Sequence, residues 1–176
     1  MSEMQPPSDV GAVKRNFILQ QGLAEPSPAS CPLQYSALLF QPRVIAVVVL
    51  AGALLGSRAI FLVLAAILWW SAVFPRWNPF DALYNRVVAR KPGGLTLSPA
   101  PGPRRFAQGM AGAFALAIGF ALIFGWHLTA IVLEVVLMLA VGALVFGSFC
   151  LGSFVFHLVL GRVAFARRTL PWARAG

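Results

Sequence analysis

The sequence predicts an all-α membrane protein of four transmembrane helices in two hairpins, with an interfacial amphipathic helix between spans two and three. Three observations lead there. Hydrophobic residues make up 59% of the 176 positions and charged ones 11%, against about 25% charged in a soluble domain; the mean hydropathy is +0.80. The apolar residues gather in three blocks, 44–74, 106–125 and 128–161. The 14 Lys and Arg outnumber 5 acids, for a net charge of +9, and all but Arg58 lie outside the blocks. On a soluble chain that charge would suggest nucleic acid. Here a bilayer accounts for it, and no nucleic-acid partner is expected. Two cysteines are too few for a disulfide scaffold.

Residues 1–36 are polar and proline-spaced and read as a disordered cytoplasmic tail. Lys14 and Arg15 imitate the start of a signal peptide, but no short apolar run with a cleavage site follows, so the tail is expected to be retained. The first apolar block would be roughly 46 Å long as one helix. It would also hold Arg58 mid-membrane, at a cost of about 2.5–3.5 kcal/mol. Folding it at Gly56-Ser57-Arg58 removes that cost and gives spans at about 38–56 and 58–75, with Pro42 in the opening turns of the first. Spans three and four then fall at about 105–125 and 127–150, with a helical extension to 161; whether this last block is one long helix or is broken near Gly147-Gly152 is left open by the sequence. A basic cytoplasmic tail, 162–176, completes the chain.

Charge asymmetry selects this count. With four spans, Lys14, Arg15, Arg43, Arg76, Arg86, Arg90, Lys91, Arg104, Arg105, Arg162, Arg167, Arg168 and Arg174 share one side, and of the 14 cations only Arg58 is opposite. The positive-inside rule makes that side cytoplasmic. The localisation expected is the bacterial cytoplasmic (inner) membrane, multi-pass, with both termini inside.

Between spans two and three, Asn78-Pro79-Phe80-Asp81 has the cap, proline and acid of a helix start. Phe80, Leu83, Tyr84, Val87 and Val88 follow at the spacing of one apolar face. Arg86, Arg90 and Lys91 supply a basic face, so the helix reads as a surface anchor on an anionic leaflet. Gly93-Gly94 and Pro99, Pro101 and Pro103 form a connector, and Phe165 and Trp172 a second anchor. Within the spans, Gly52 and Gly56, and Ala107, Ala111, Ala115 and Gly119, fall at four-residue spacing. Small residues so placed let membrane helices approach closely.

Chemistry is sparse. Glu134 is the one acid inside an apolar block, and an acid at membrane depth is a functional candidate by default. Its readings are a structural pair with Arg58, a protonated glutamic acid, or a proton or ion route. His127 lies on the same face but nearly two turns away. Cys150, Ser153 and His157 stand at i, i+3 and i+7, on one helix face. A thiol near a histidine can become a nucleophile, but His157 is two turns from Cys150, beyond direct bonding on a straight helix. A buried, unreactive cysteine is the commoner case. Cys31 lies on the same side of the membrane. No phosphate loop, dinucleotide fingerprint, hydrolase triad or metal site is recognisable. No cofactor is called for; a bound lipid fits the composition, and a haem or pigment would rest on two lone histidines.

Cys31-Pro32 ahead of the first hairpin, Pro75-Arg76-Trp77-Asn78-Pro79 after it, Pro103-Arg104-Arg105-Phe106-Ala107 before the third span and Phe149-Cys150-Leu151-Gly152 near the end form an ordered set of short motifs. Together they resemble a bacterial family of small membrane proteins catalogued as domain of unknown function forty-three ninety-five, over roughly residues 31–161. The resemblance implies four spans and a thiol or sulfur-handling role, with a Cys-Pro near the start and a Cys-Leu-Gly-Cys near the end. The last cysteine of that pattern is Ser153 here. A CxxC pair within the last helix therefore cannot form, which leaves only a Cys31–Cys150 pair, transient in a reducing compartment.

The leading expectation is a non-enzymatic accessory or structural component that packs against other membrane proteins or a second copy of itself. The alternative is thiol redox or sulfur transfer through Cys150 and Cys31, and the third is ion passage through Glu134.

Overall fold

A computed structural model describes residues 9–90 and 95–173. Among the described residues every element is helical: α1 (Asp9–Gln20), α2 (Cys31–Leu54), α3 (Arg58–Val73), α4 (Pro79–Val87), α5 (Gly102–Ile123), α6 (His127–Gly147), α7 (Leu151–Val159) and α8 (Val163–Arg168), with one 3-10 turn at Pro75–Trp77. The helices α2, α5 and α6 are long and apolar enough to cross a membrane, and α3 is a shorter apolar helix. At 1.5 Å per residue α3 extends about 24 Å, against about 30 Å of hydrocarbon.

The hairpin expected at Gly56 is present. Gly56 sits at φ +54° with open space around it, a conformation glycine adopts without steric cost. The Ser57 side chain accepts from the Ile60 N–H at 3.5 Å to begin α3. Gly52 faces Ile60 and Phe61 across the hairpin. Of the two glycines, one serves packing and the other the turn.

The helix α3 then runs antiparallel to α5, the most extensive helix contact in the molecule. Small residues on α5 make it close. A Cβ at Gly119 would meet Leu62, and one at Gly112 would overlap the Trp69 ring. At the far end Arg105 Nε donates to the Ala72 carbonyl at 2.7 Å. The core between α2, α3, α5 and α6 holds Val49, Phe61, Leu64, Leu68, Ala115, Ile118 and Leu137. Of the predicted small-residue stripe, Ala111, Ala115 and Gly119 contribute here. Ala107 instead receives Gly152 of α7.

Two expectations give way, and a further contact joins the ends of the chain. The tail is not disordered over its described part: α1 buries Phe17 and Ile18 against Leu38 and Leu39 of α2. The polar average of the segment hid a short apolar face, and α2 begins at Cys31, which puts Pro42 inside the helix. The last block is not one helix to 161. It breaks at 148–150, where Ser148 is left-handed at φ +53°, and the Tyr35 hydroxyl bonds Ser148 Oγ at 2.6 Å. That conformation costs a non-glycine residue about 1–3 kcal/mol, so the tertiary contact holds it. The C-terminal segment does not stand free either. Asn16 Nδ2 donates to the carbonyls of Leu170 and Ala173, each at 3.1 Å, and Ala166 and Thr169 are buried.

The helix α4 begins as predicted, with Asn78 Oδ1 accepting from the N–H groups of Phe80 and Asp81. Its apolar stripe divides. Phe80 and Tyr84 are buried, while Leu83 and Val87 are exposed beside exposed Arg86 and Arg90. Lys91 and Gly93-Gly94 lie outside the described residues, as does Arg174.

Candidate functional site

Two consecutive arginines open α5, and they part company. Arg105 caps α3, whereas Arg104 turns into the bundle and is 5% exposed. Arg104 Nη2 meets Asp81 Oδ1 at 2.6 Å and donates to Gln41 Oε1 at 2.8 Å. One turn further, Gln108 Nε2 donates to the same Gln41 oxygen at 3.0 Å. All four side chains are buried. This explains the split stripe of α4: a buried acid needs a partner, and the rotation that brings Asp81 to Arg104 also turns Phe80 and Tyr84 inward. Burial pushes the Asp81 carboxyl above its ordinary range, and the Arg104 guanidinium opposes that shift. Three atoms of this centre have no protein partner among the described residues: Gln41 Nε2, Gln108 Oε1 and Asp81 Oδ2.

Beside the centre is a cavity of about 70 Å³ whose wall includes Phe17, Gln41, Arg104, Gln108 and Cys150. Cys150 itself is buried and free. It stands at the cap of α7, outside the helix, so the common face predicted for Cys150, Ser153 and His157 reduces to Ser153 and His157, both buried. Gln20 of α1 occupies the gap. Its Oε1 accepts from the Cys150 backbone N–H at 2.9 Å, and its carbonyl oxygen bonds His157 Nε2 at 3.1 Å. The histidine is thus engaged with α1 and not with the thiol. Cys31 lies at the start of α2, packed against the Phe17–Leu39 cluster.

The ionisable residues at the other end of the helices do not gather. Glu134 is half-buried, and Arg58 and His127 are exposed. Among the described residues the ion pairs are Arg15–Glu25 and Arg104–Asp81, so Arg58 and Glu134 are not joined. No three of His, Cys, Asp and Glu come together as metal ligands among the described residues. Sequence reasoning placed Arg104 among the topology charges and Asp81 among the helix caps, and passed over Gln41 and Gln108. The available signal was two glutamines at the margins of apolar runs, each a costly group in lipid.

The arrangement holds donors and acceptors in a buried, charge-balanced centre. Among the described residues it presents no nucleophile within hydrogen-bond reach of a base. Comparison with known proteins gives one family match: residues 36–160 match the model of Domain of unknown function (DUF4395). No curated protein and no solved structure matches.

Proposed function

The chain belongs to the DUF4395 family, and on that footing we propose that it is a four-span membrane protein that serves as an accessory component packing against membrane partners. The observation that carries this reading is the outer face of α6. Its inner face buries Ala130, Leu137 and Val141, while Leu128, Ile131, Val135, Leu139 and Phe146 are exposed, Phe146 to 90%. A helix this apolar and this sparsely covered calls for lipid or another helix. The counting of α3 as span two, which brings the total to four, is supported by its course, since it keeps pace with α5 from Gly119 back to Arg105. Mild mismatch of a short helix costs fractions of a kcal/mol per Å. Both termini are assigned to the cytoplasm of a bacterial inner membrane on the grouping of cations at the α4 end.

Purification in mild detergent, with the mass of the particle measured by light scattering, should return an oligomer or a defined complex. A monodisperse monomer with nothing bound overturns the reading. An introduced thiol at Ser57 should label from outside, and one at Thr96 should not.

A second reading, thiol redox or sulfur transfer, draws on the place of Cys150 in a cavity wall. An unchanged phenotype when Cys31→Ser and Cys150→Ser are combined removes it.

A further inference from the structure

The cavity beside Arg104 has a neighbour. A second cavity, of about 110 Å³, lies between α5, α6 and α7, and its lining includes Met110, Phe114, Ala140 and Gly152. The two share Ala107, Ala111, Val141, Leu144 and Cys150 as common wall. Val136 and Leu151 line the second cavity and are themselves exposed, so this arm opens on the outer, lipid-suited surface of the bundle. One arm is therefore apolar, and the other ends at Gln41, Arg104 and Gln108.

The polar end is specific. Arg104 can only donate, which orients the Gln41 oxygen toward it. That oxygen in turn fixes Gln108 with its nitrogen inward to the shared bond. What remains on the cavity wall, at side chains at least nine-tenths buried, is one donor, Gln41 Nε2, and one acceptor, Gln108 Oε1; Asp81 Oδ2, also without a partner among the described residues, is not part of that wall. A hydroxyl satisfies both, since its O–H donates to Gln108 and its lone pair accepts from Gln41. An anionic head has no such match, because the charge of Arg104 is already met by Asp81.

We propose that the two cavities open into one another along this common wall and form one binding site for a single-chain amphiphile with a neutral hydroxyl head: the head sits between Gln41 and Gln108, and the tail lies along Met110, Phe114 and Ala140. The proposal does not require a protein partner on α6.

Cys150, on the common wall, is the reporter. In phosphatidylcholine nanodiscs, the Cys31→Ser protein is alkylated with N-ethylmaleimide and the modification of Cys150 is followed by mass spectrometry. Added n-decanol should slow alkylation at about tenfold lower concentration than n-decane does, the worth of a pair of net hydrogen bonds, while decanoate should not slow it. Gln108→Leu should abolish the difference between alcohol and alkane, and Ala111→Phe should abolish protection altogether. The contrast among the three probes needs no substitution in the site, so it decides the matter even if a variant fails to fold. Equal protection by decane overturns the proposal. So does equal slowing at a Val135→Cys control thiol in a chain carrying Cys31→Ser and Cys150→Ser, or a Cys150 that never reacts.

Discussion

Removing either partner of the buried Asp81–Arg104 pair should destabilise the protein, but the two removals should not cost the same. The side chains are 6% and 5% exposed at the residue level and meet at 2.6 Å. Asp81→Ala leaves a guanidinium that cannot lose its proton, with Gln41 as its remaining acceptor. An uncompensated buried charge of this kind costs about 3–5 kcal/mol. At about 1.4 kcal/mol per decade, the unfolded fraction rises by between roughly a hundred and a few thousand times. Arg104→Met leaves a carboxyl that burial already pushes upward. With its cationic neighbour gone, this carboxyl rises further and takes up a proton, so the loss falls to about 1–3 kcal/mol, the cost of unmet hydrogen bonds. The pH dependence follows with a definite sign. A carboxyl whose folded pKa is raised stabilises the fold fully below its unfolded value, and that contribution is lost as pH rises through the folded one. Arg104→Met should therefore gain stability on acidification toward the ordinary carboxylate range, more steeply than the parent, and Asp81→Ala should lack this dependence. Unfolding in mixed micelles of dodecyl sulfate and dodecylmaltoside, followed by far-ultraviolet circular dichroism, measures all three. Equal costs for the two variants, or a cost below about 1 kcal/mol for Asp81→Ala, would refute the reasoning.

Gly112→Val should cost at least the ~1–3 kcal/mol of an overpacked contact, because its Cβ overlaps the Trp69 ring, whereas Gly109→Ala meets nothing within 4 Å and should be neutral or stabilising in the same assay. Asn16→Ala removes two bonds to the C-terminal segment and should speed tryptic cleavage after Arg167 and Arg168 severalfold; an unchanged cleavage rate would show that those bonds do not hold the segment down.

Those parts of the fold that follow from local signals were legible. Gly56-Ser57 turns the chain because glycine can take φ +54°, and Asn78-Pro79 starts α4 because the side chain caps two free N–H groups. Both depend on neighbours within a few residues. The candidate site depends on residues far apart: Gln41 and Arg104 are separated by 63 positions and Asp81 and Arg104 by 23. No periodicity announces such a meeting. Arg104 and Arg105 are identical to any rule that counts charge, and only the position of Asp81 decides which one is buried. The helix α1 was hidden for a related reason. Its two large apolar residues, Phe17 and Ile18, are few enough to vanish in a polar average, yet they suffice once Leu38 and Leu39 stand opposite. The sequence leaves the break before α7 open at Gly147-Gly152, since hydropathy does not register the left-handed serine that decides it.

Gln20 joins α1 to Cys150 and His157 across 130 and 137 positions, and this sets an order on biogenesis. At about 5–20 residues per second of synthesis, the helix carrying Gln20 exists for roughly 7–26 s before Cys150 is made. Throughout that interval the polar atoms of Gln20 have water or the ribosome's surroundings as partners, and Phe17 has only what α2 offers. Closure of the molecule is therefore a post-insertional event, completed when the latest helices swing back to the earliest. A chain ending after α6 would lack the bonds from Gln20 to Cys150 and His157 and keep only the packing of α1 on α2.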